Sequence, residues 1–379
     1  VSPVHRELLV ERDRFEVTKN YTYLNHASRG PLSPPAREII KTIADEMLTV
    51  HPSQIKGMRD GFAEARQAMA DLINAPVTSI GLVPNTSSGI AMAAGSLPLK
   101  RGDNIICAQG EFPANIYPWL NLTFRGIEVR LLDRNPAGIS VDQLREAMDE
   151  RTKVVALSWI GFADGARIDT ATIGELCAEK KVFFVLDAVQ GVGAMRVDLA
   201  GIDVLVSGSG KWSLSPQGGG FAYLSPMLLE NLHPDRVGWL SMTPNCELDD
   251  FSNLVDYKFT LAEDARRVEI GSNSLLTQFA LGASCRYLRD LGKRKVEERI
   301  IALCDHLVSG LRSKGYSITT PVDSPLRSGI VAFRVDDPAG TVKRLLERNI
   351  ILSAREGNLR VGLHFYNNTE DIDRLLEEL

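Results

Sequence analysis

Seven short apolar runs recur through the first two-thirds of the chain: SIGLVP (79–84), NIICA (104–108), IEVRLL (127–132), VVALSW (154–159), VFFVLD (182–187), DVLVSG (203–208) and FAYLS (221–225). Their apolar positions are continuous and rich in β-branched and aromatic residues, which predicts strands buried on both faces. Helix-period patterns accompany them. PPAREIIKTIADEML precedes the set, and SSGIAMAAGSL, VDQLREAMDE and DTATIGELCAEKK lie between its members. This alternation predicts an α/β fold with a seven-stranded, mostly parallel sheet. A long helix pattern, SNSLLTQFALGASCRYLRDL (272–291), then leaves the sheet. After it come YSITTP, SGIVAFRV, NIILSA and NLRVGL, interleaved with helices expected at 295–313, 339–347 and 369–379. That is the pattern of a smaller α+β domain at the C-terminal end.

The 379 residues can bury a large core, and two domains are a fair expectation at this length. Charge is nearly balanced, 43 basic against 48 acidic side chains, with no block of one sign. This argues against nucleic acid and membrane surfaces as partners. No apolar run approaches the length of a membrane span, and the stretch VSPVHRELLVERDRFE is charged throughout, without a signal-peptide core. Cys107, Cys177, Cys246, Cys285 and Cys304 are scattered, with no CxxC pair and no histidine at ligand spacing. A cytoplasmic protein with free thiols and no metal site is therefore expected.

Candidate chemistry collects where ligands sit in open α/β sheets, beyond the carboxyl ends of the strands. DVLVSGSGKWSLSPQGGGFAYLS sets Lys211 among glycines after a strand. A P-loop needs a glycine five positions before the Gly-Lys pair and Ser or Thr after it; Leu205 and Trp212 stand there. Lys211 is then either a surface lysine in a flexible loop or an amine held at the sheet edge. In VPNTSSGIAM, Asn85, Thr86, Ser87 and Ser88 open a helix, as a monophosphate site or as a plain N-cap. Asp187 ends a strand with Gln190 three residues on, and Phe112 follows another strand in AQGEFPANIYPWL.

One cofactor uses all of these together. Pyridoxal phosphate (PLP) needs an amine for its aldehyde, a carboxylate for its pyridine nitrogen and a donor to its phenolic oxygen. It also needs a flat surface against the ring and a phosphate cradle. Asp-x-x-Gln followed by Gly-Lys-Trp and a Gly-rich strand resembles the class V aminotransferases of PLP fold type I. That family includes cysteine desulfurases, selenocysteine lyase, kynureninase and isopenicillin-N epimerase. The resemblance runs from YLNHASRGPL to LRVGLHFYNNTEDIDRLLEEL. It implies a large PLP-binding domain over 19–271 and a small domain of 1–18 with 272–379.

By the same resemblance Lys211 is the Schiff-base lysine, Asp187 the pyridine partner, Gln190 the phenolic-oxygen donor and Phe112 the stacking ring. Thr86, Ser87 and Ser88 hold the phosphate. Ser272 in VEIGSN reaches the phosphate of the neighbouring subunit in a homodimer with shared active sites. Arg360 binds the α-carboxylate of a small amino-acid substrate, and LNHAS puts Asn25 and His26 near that substrate.

Three departures matter. Many relatives have histidine where this chain has Gly210, and Ser207 or Ser209 is expected to compensate at the phosphate. Many carry Asn or Gln where SWIGFADG has Gly161 and Phe162. Desulfurases carry a mobile-loop cysteine before the carboxylate arginine, but IILSAREGNLR (350–360) has none. The resemblance thus implies chemistry at Cα by an epimerase-like or C–S/C–Se lyase-like member without a persulfide cysteine. An aminotransferase with a keto-acid acceptor is the alternative, and a non-catalytic PLP-fold binding protein the rival of another class. A NAD-dependent dehydrogenase lacks support, because no GxGxxG follows the first strand.

Overall fold

The structure is a computed structural model that describes residues 11–49, 53–134, 138–248, 254–255, 257–323 and 326–379. Residues 1–10, which hold most of the charged start and of the 1–18 segment, lie outside the described residues.

Strand β1 (Thr22–Tyr23) precedes the main sheet. That sheet is built from β2 (Ile80–Leu82), β3 (Asn104–Ala108), β4 (Glu128–Leu132), β5 (Thr152–Ser158), β6 (Phe183–Asp187), β7 (Val204–Gly208) and β8 (Gly220–Leu224). Their order is β2-β8-β7-β6-β5-β3-β4. β3 to β7 pair in parallel, and only β8 runs antiparallel to both of its neighbours. All seven expected strands are present.

Alternate residues feed two cores, one on each face, as a period of two demands. Ile106, Val155, Leu157, Phe184, Leu186 and Leu205 pack on one side. Ile105, Cys107, Val154, Ala156, Val185 and Val206 pack on the other. β4 differs from its neighbours: it closes one edge, and Glu128 and Arg130 turn part of it to solvent instead of into a core.

The helices include α1 (Pro34–Glu46), α2 (Ser53–Ile73), α3 (Thr86–Ser96), α4 (Val141–Ala147), α5 (Thr170–Lys180), α6 (Leu275–Leu291) and α7 (Lys293–Ser313). Side-chain caps set several starts: Ser33 accepts from Ala36 N–H, Ser140 and Gln143 form a capping box, and Asp169 accepts from Thr172 N–H. Helix α2 was not expected from the sequence, because its two glycines weaken a helix pattern. One of them has a packing reason. A Cβ on Gly61 would lie 2.2 Å from the Phe279 ring, and one on Gly282 would lie 2.6 Å from Ala65 Cα. Small residues therefore let α2 and α6 approach closely.

A second sheet, β11-β12-β9, joins β9 (Ile330–Arg334), β11 (Ser353–Arg355) and β12 (Asn358–Gly362). The short strand β10 (Ile350–Ile351) pairs in parallel with β1, and Asn25 bridges to Gly362. The segment around residues 22–27 is thus stitched to the C-terminal sheet. YSITTP, expected as a strand, contributes only an isolated bridge, Ile318 to Phe333.

Candidate active site

Parallel pairing brings the carboxyl ends of β3, β5, β6 and β7 to one edge, with Ser158 directly opposite Asp187 in the register. Lys211 lies just beyond, in the connection from β7 to β8. That loop is tied down on several sides. Ser209 N–H donates to Gly219 O (3.0 Å), Gly30 N–H to Gly210 O (3.0 Å) and Ser33 N–H to Leu214 O (2.8 Å). Trp212 is fully buried, and its indole N–H donates to Gln190 Oε1 (2.7 Å). With its neighbour anchored inward, the Lys211 side chain turns to the site, where Nζ lies 5.5 Å over the Phe112 ring. Burial pulls the Lys211 ammonium down to about 8. Asp187 opposes that shift, while Arg360 and Arg355 add to it.

Asp187 is buried at the tip of β6 and accepts from Val189 N–H (3.0 Å). Burial raises its carboxyl above the usual range, with Val189 N–H and Lys211 pulling the other way. Phe112 is 45% exposed and meets Phe162 edge to face at 5.3 Å. At the head of α3, Asn85 is the N-cap and accepts from Ser88 N–H (2.8 Å). Thr86 Oγ1 accepts from Gly208 N–H (3.0 Å), which fixes the helix start against the end of β7. The cap uses Ser88 N–H, so the remaining first-turn amides and the Ser87 hydroxyl are what this end offers an anion. Ser88 and the exposed Ser272 border one cavity of about 410 Å³ with Gly218 and Asn273.

Arg360 on β12 is 2% exposed, yet every partner it has is neutral. It donates to Phe162 O (2.6 Å), Ser28 Oγ (2.6 Å) and Ser353 Oγ (3.2 Å). Burial, then the nearby Arg355, pull it down to about 10. PLP fits this set of residues. The structure holds a lysine amine of lowered basicity, a buried carboxylate facing it, an exposed aromatic face under the amine and a capped helix start beside the loop.

The Aminotransferase class-V family model matches residues 49–375. The chain belongs to the class V aminotransferase family. It is a PLP-dependent enzyme with the fold type I architecture. A probable cysteine desulfurase of Methanothermobacter thermautotrophicus is 26% identical over 98% of this chain and 96% of its own length. Isopenicillin N epimerase of Streptomyces clavuligerus is 27% identical over 97% of this chain and 96% of its own. A solved structure of a C-DES mutant, with glycine covalently linked to the PLP cofactor, matches with a TM-score of 0.87 at 22% identity. It covers 97% of this chain and 98% of the other.

In this class V enzyme two of the departures have steric causes. A Cβ on Gly161 would lie 2.2 Å from Asp164 Oδ1 and 2.7 Å from Arg134 Nη2, so the Arg134–Asp164 ion pair (3.1 Å) fills that space. A Cβ on Gly210 would lie 2.5 Å from Gln217 Cγ, so Gln217 occupies the room a larger side chain would need. Three expected residues sit differently from expectation. The Ser209 hydroxyl, expected at the phosphate, turns into its own loop, within hydrogen-bond reach of the carbonyls of Pro216 and Gly219 (2.9 Å to the latter). His26 is fully buried and not at the substrate surface; its Nε2 meets the Tyr366 hydroxyl at 2.5 Å. Burial, then His364, hold that imidazole neutral. Gln190 is also buried, its amide bridging Trp212 and Ala27 O (3.1 Å). Asn25 is half-buried, with Oδ1 lacking a hydrogen-bond partner.

Two site residues escaped the sequence. Glu111 accepts from Ser158 N–H (2.8 Å) and from the Ser158 hydroxyl, next to Asp187. Burial raises its carboxyl, and the Asp187 charge adds to that. An acid set directly before Phe112 at a strand end was the available signal. Ser28 had none, since its role depends on two arginines more than three hundred residues away.

Proposed function

We propose that this class V enzyme acts at Cα of a small amino acid as an epimerase-like or C–S/C–Se lyase-like member that forms no protein persulfide. The observation that carries this is one neighbourhood: the buried Lys211 amine lies over the Phe112 ring, Asp187 raises its basicity, and Arg360, whose partners are all neutral, lowers it. When bound, PLP supplies an electron sink for a bond broken at Cα. Lys211 would be the amine for its aldehyde and, once free, the base for the Cα proton. At about 8 it can take that proton near neutral pH and give it back. Asp187 would keep a proton on the pyridine nitrogen, Arg360 would orient the α-carboxylate through its planar fork, and Phe112, braced edge-on by Phe162, would offer the ring its flat surface.

Two features support the exclusion of a persulfide. All five cysteines are buried, and burial pushes the thiols of Cys177, Cys285 and Cys304 up to about 12, far from the thiolate that must attack sulfur. The position of the desulfurase loop is taken by a tight hairpin between β11 and β12.

The test is a variant with all five cysteines changed to serine, treated with borohydride and assayed on a panel of amino acids. It should carry the reduced cofactor on Lys211 and keep its turnover. A label elsewhere sinks the lysine assignment, and an indispensable cysteine restores the desulfurase mechanism. Transamination differs only in where the proton returns, so products formed with and without a keto acid separate it.

We further assign a cytoplasmic homodimer with shared active sites, in which Ser272 serves the neighbouring phosphate. Tyr117 (67%), Phe124 (74%) and Ile270 (53%) are exposed apolar side chains that a second copy would cover. Sedimentation equilibrium of the holoenzyme should give twice the chain mass; a monomer that turns over substrate would refute the shared site.

A further inference from the structure

The hairpin that ends β11 and begins β12 turns through Glu356 and Gly357, both at positive φ (47° and 77°). Two positive-φ residues make the tight turn whose twist matches a hairpin. The register pairs Ser353 with Arg360 and Arg355 with Asn358. By the alternation of strand side chains, these four residues share one face. Arg355 and Arg360 are therefore diagonal neighbours on that face, two like charges that repel unless an anion lies between or beside them.

Both guanidiniums turn to the same hydroxyl. Ser28 Oγ accepts from Arg360 Nη2 (2.6 Å) and from Arg355 Nη2 (3.2 Å). Arg355 also donates to Ala354 O (2.7 Å). Every acceptor of the pair is neutral, and neither arginine makes an ion pair among the described residues. An α-carboxylate offsets one of these charges and leaves the other. The second lies outward of the first, since Arg360 is buried behind Ser353 and Phe162 while Arg355 is only half-buried at the hairpin end.

Resting on the assignment of Arg360 to the α-carboxylate, we propose that Arg355 forms an adjoining second anion site, so that the preferred substrate is an amino acid with an acidic side chain. A guanidinium selects such a group by paired charge-assisted hydrogen bonds. Two unreactive acids of equal length isolate the two sites: valerate reports the Arg360 site, and glutarate reports both. Their binding to the holoenzyme is measured by titration calorimetry at fixed pH and salt. Glutarate should bind about tenfold or more tightly than valerate, the gain expected of one charge-assisted contact. Arg355→Met should bring that ratio close to one, and Arg355→Lys, which keeps the charge without the fork, should restore part of it. If valerate binds and the wild-type ratio is near one, or if the ratio survives Arg355→Met, the second site is overturned while the α-carboxylate site stands. If neither acid binds, both assignments fall.

Discussion

In its proposed role as the amine for the cofactor aldehyde, Lys211 would act through its neighbours' charges, and each neighbour leaves a signed trace. Its amine attacks an aldehyde only when neutral, so apo-enzyme reconstitution with PLP should speed up as pH rises through about 8, where an ordinary lysine stays protonated past 10. Removing the anion, in Asp187→Asn, should move the midpoint down; removing a cation, in Arg355→Met, should move it up. Stopped-flow absorbance against pH reads all three midpoints. A wild-type midpoint near 10.5 would mean that the amine is not desolvated. Lys211, Asp187 and Phe112 could be singled out because each sits at or just beyond a strand end, and strand ends are legible from apolar runs; Arg360, in the middle of β12, was pointed to by the family resemblance alone. The placements of Ser209, Gln190 and His26 were not legible, because a hydroxyl, an amide and an imidazole take their roles from partners. Those partners, Pro216 and Gly219, Trp212 and Ala27, and Tyr366, are chosen by tertiary packing.

The element that presents Lys211 is held by contact with a distant one, the stretch from β1 to α1. Gly30 is a point of close approach: a Cβ there would lie 2.0 Å from Lys211 O and 3.5 Å from His26 Nδ1. Backbone cannot yield as a flexible side chain can, so Gly30→Ala must shift either the Lys211 loop or the segment that carries Asn25. The expected cost is about 1–3 kcal/mol, with a matching loss of cofactor retention measured by dialysis and absorbance. Gly57 in α2 is the opposite case, since a Cβ there meets nothing within 4 Å. Gly57→Ala should stabilise by roughly 0.5–1 kcal/mol through helix propensity alone. Equal effects from the two changes would deny the close approach. Nothing in the sequence marked Gly30 as a contact of Lys211; the likeness of YLNHASRGPL to relatives pointed to substrate, and the structure adds that this stretch also buttresses the lysine loop.

Across the whole molecule, one buried cluster joins the N-terminal segment, the lysine loop and the C-terminal sheet. His26 packs on Trp212, His364 and Tyr366, with ring centroids 5.6, 4.7 and 5.1 Å away. His364 accepts from Phe365 N–H at Nδ1 (2.9 Å), so it carries its proton on Nε2, which donates to Trp212 O (3.1 Å). A second proton would break the first contact and leave a charge in the core. Burial accordingly lowers His364 to about 4, with the Trp212 carbonyl opposing. Between pH 6.5 and 4 the unfolded chain binds a proton at this histidine that the folded chain does not. Stability therefore falls as pH drops through that window, by about 1.4 kcal/mol per pH unit once well below 6.5. Asp187, Glu111 and Asp203 are held above the usual carboxylate range by burial, so they titrate with the opposite sign. The histidine contribution is isolated by difference. Urea unfolding of holoenzyme at pH 7, 6 and 5 should show a steeper loss in wild type than in His364→Gln, with the slopes diverging below 6.5. Parallel slopes would mean that His364 titrates as it does in the unfolded chain, and that the cluster under Lys211 is open to water.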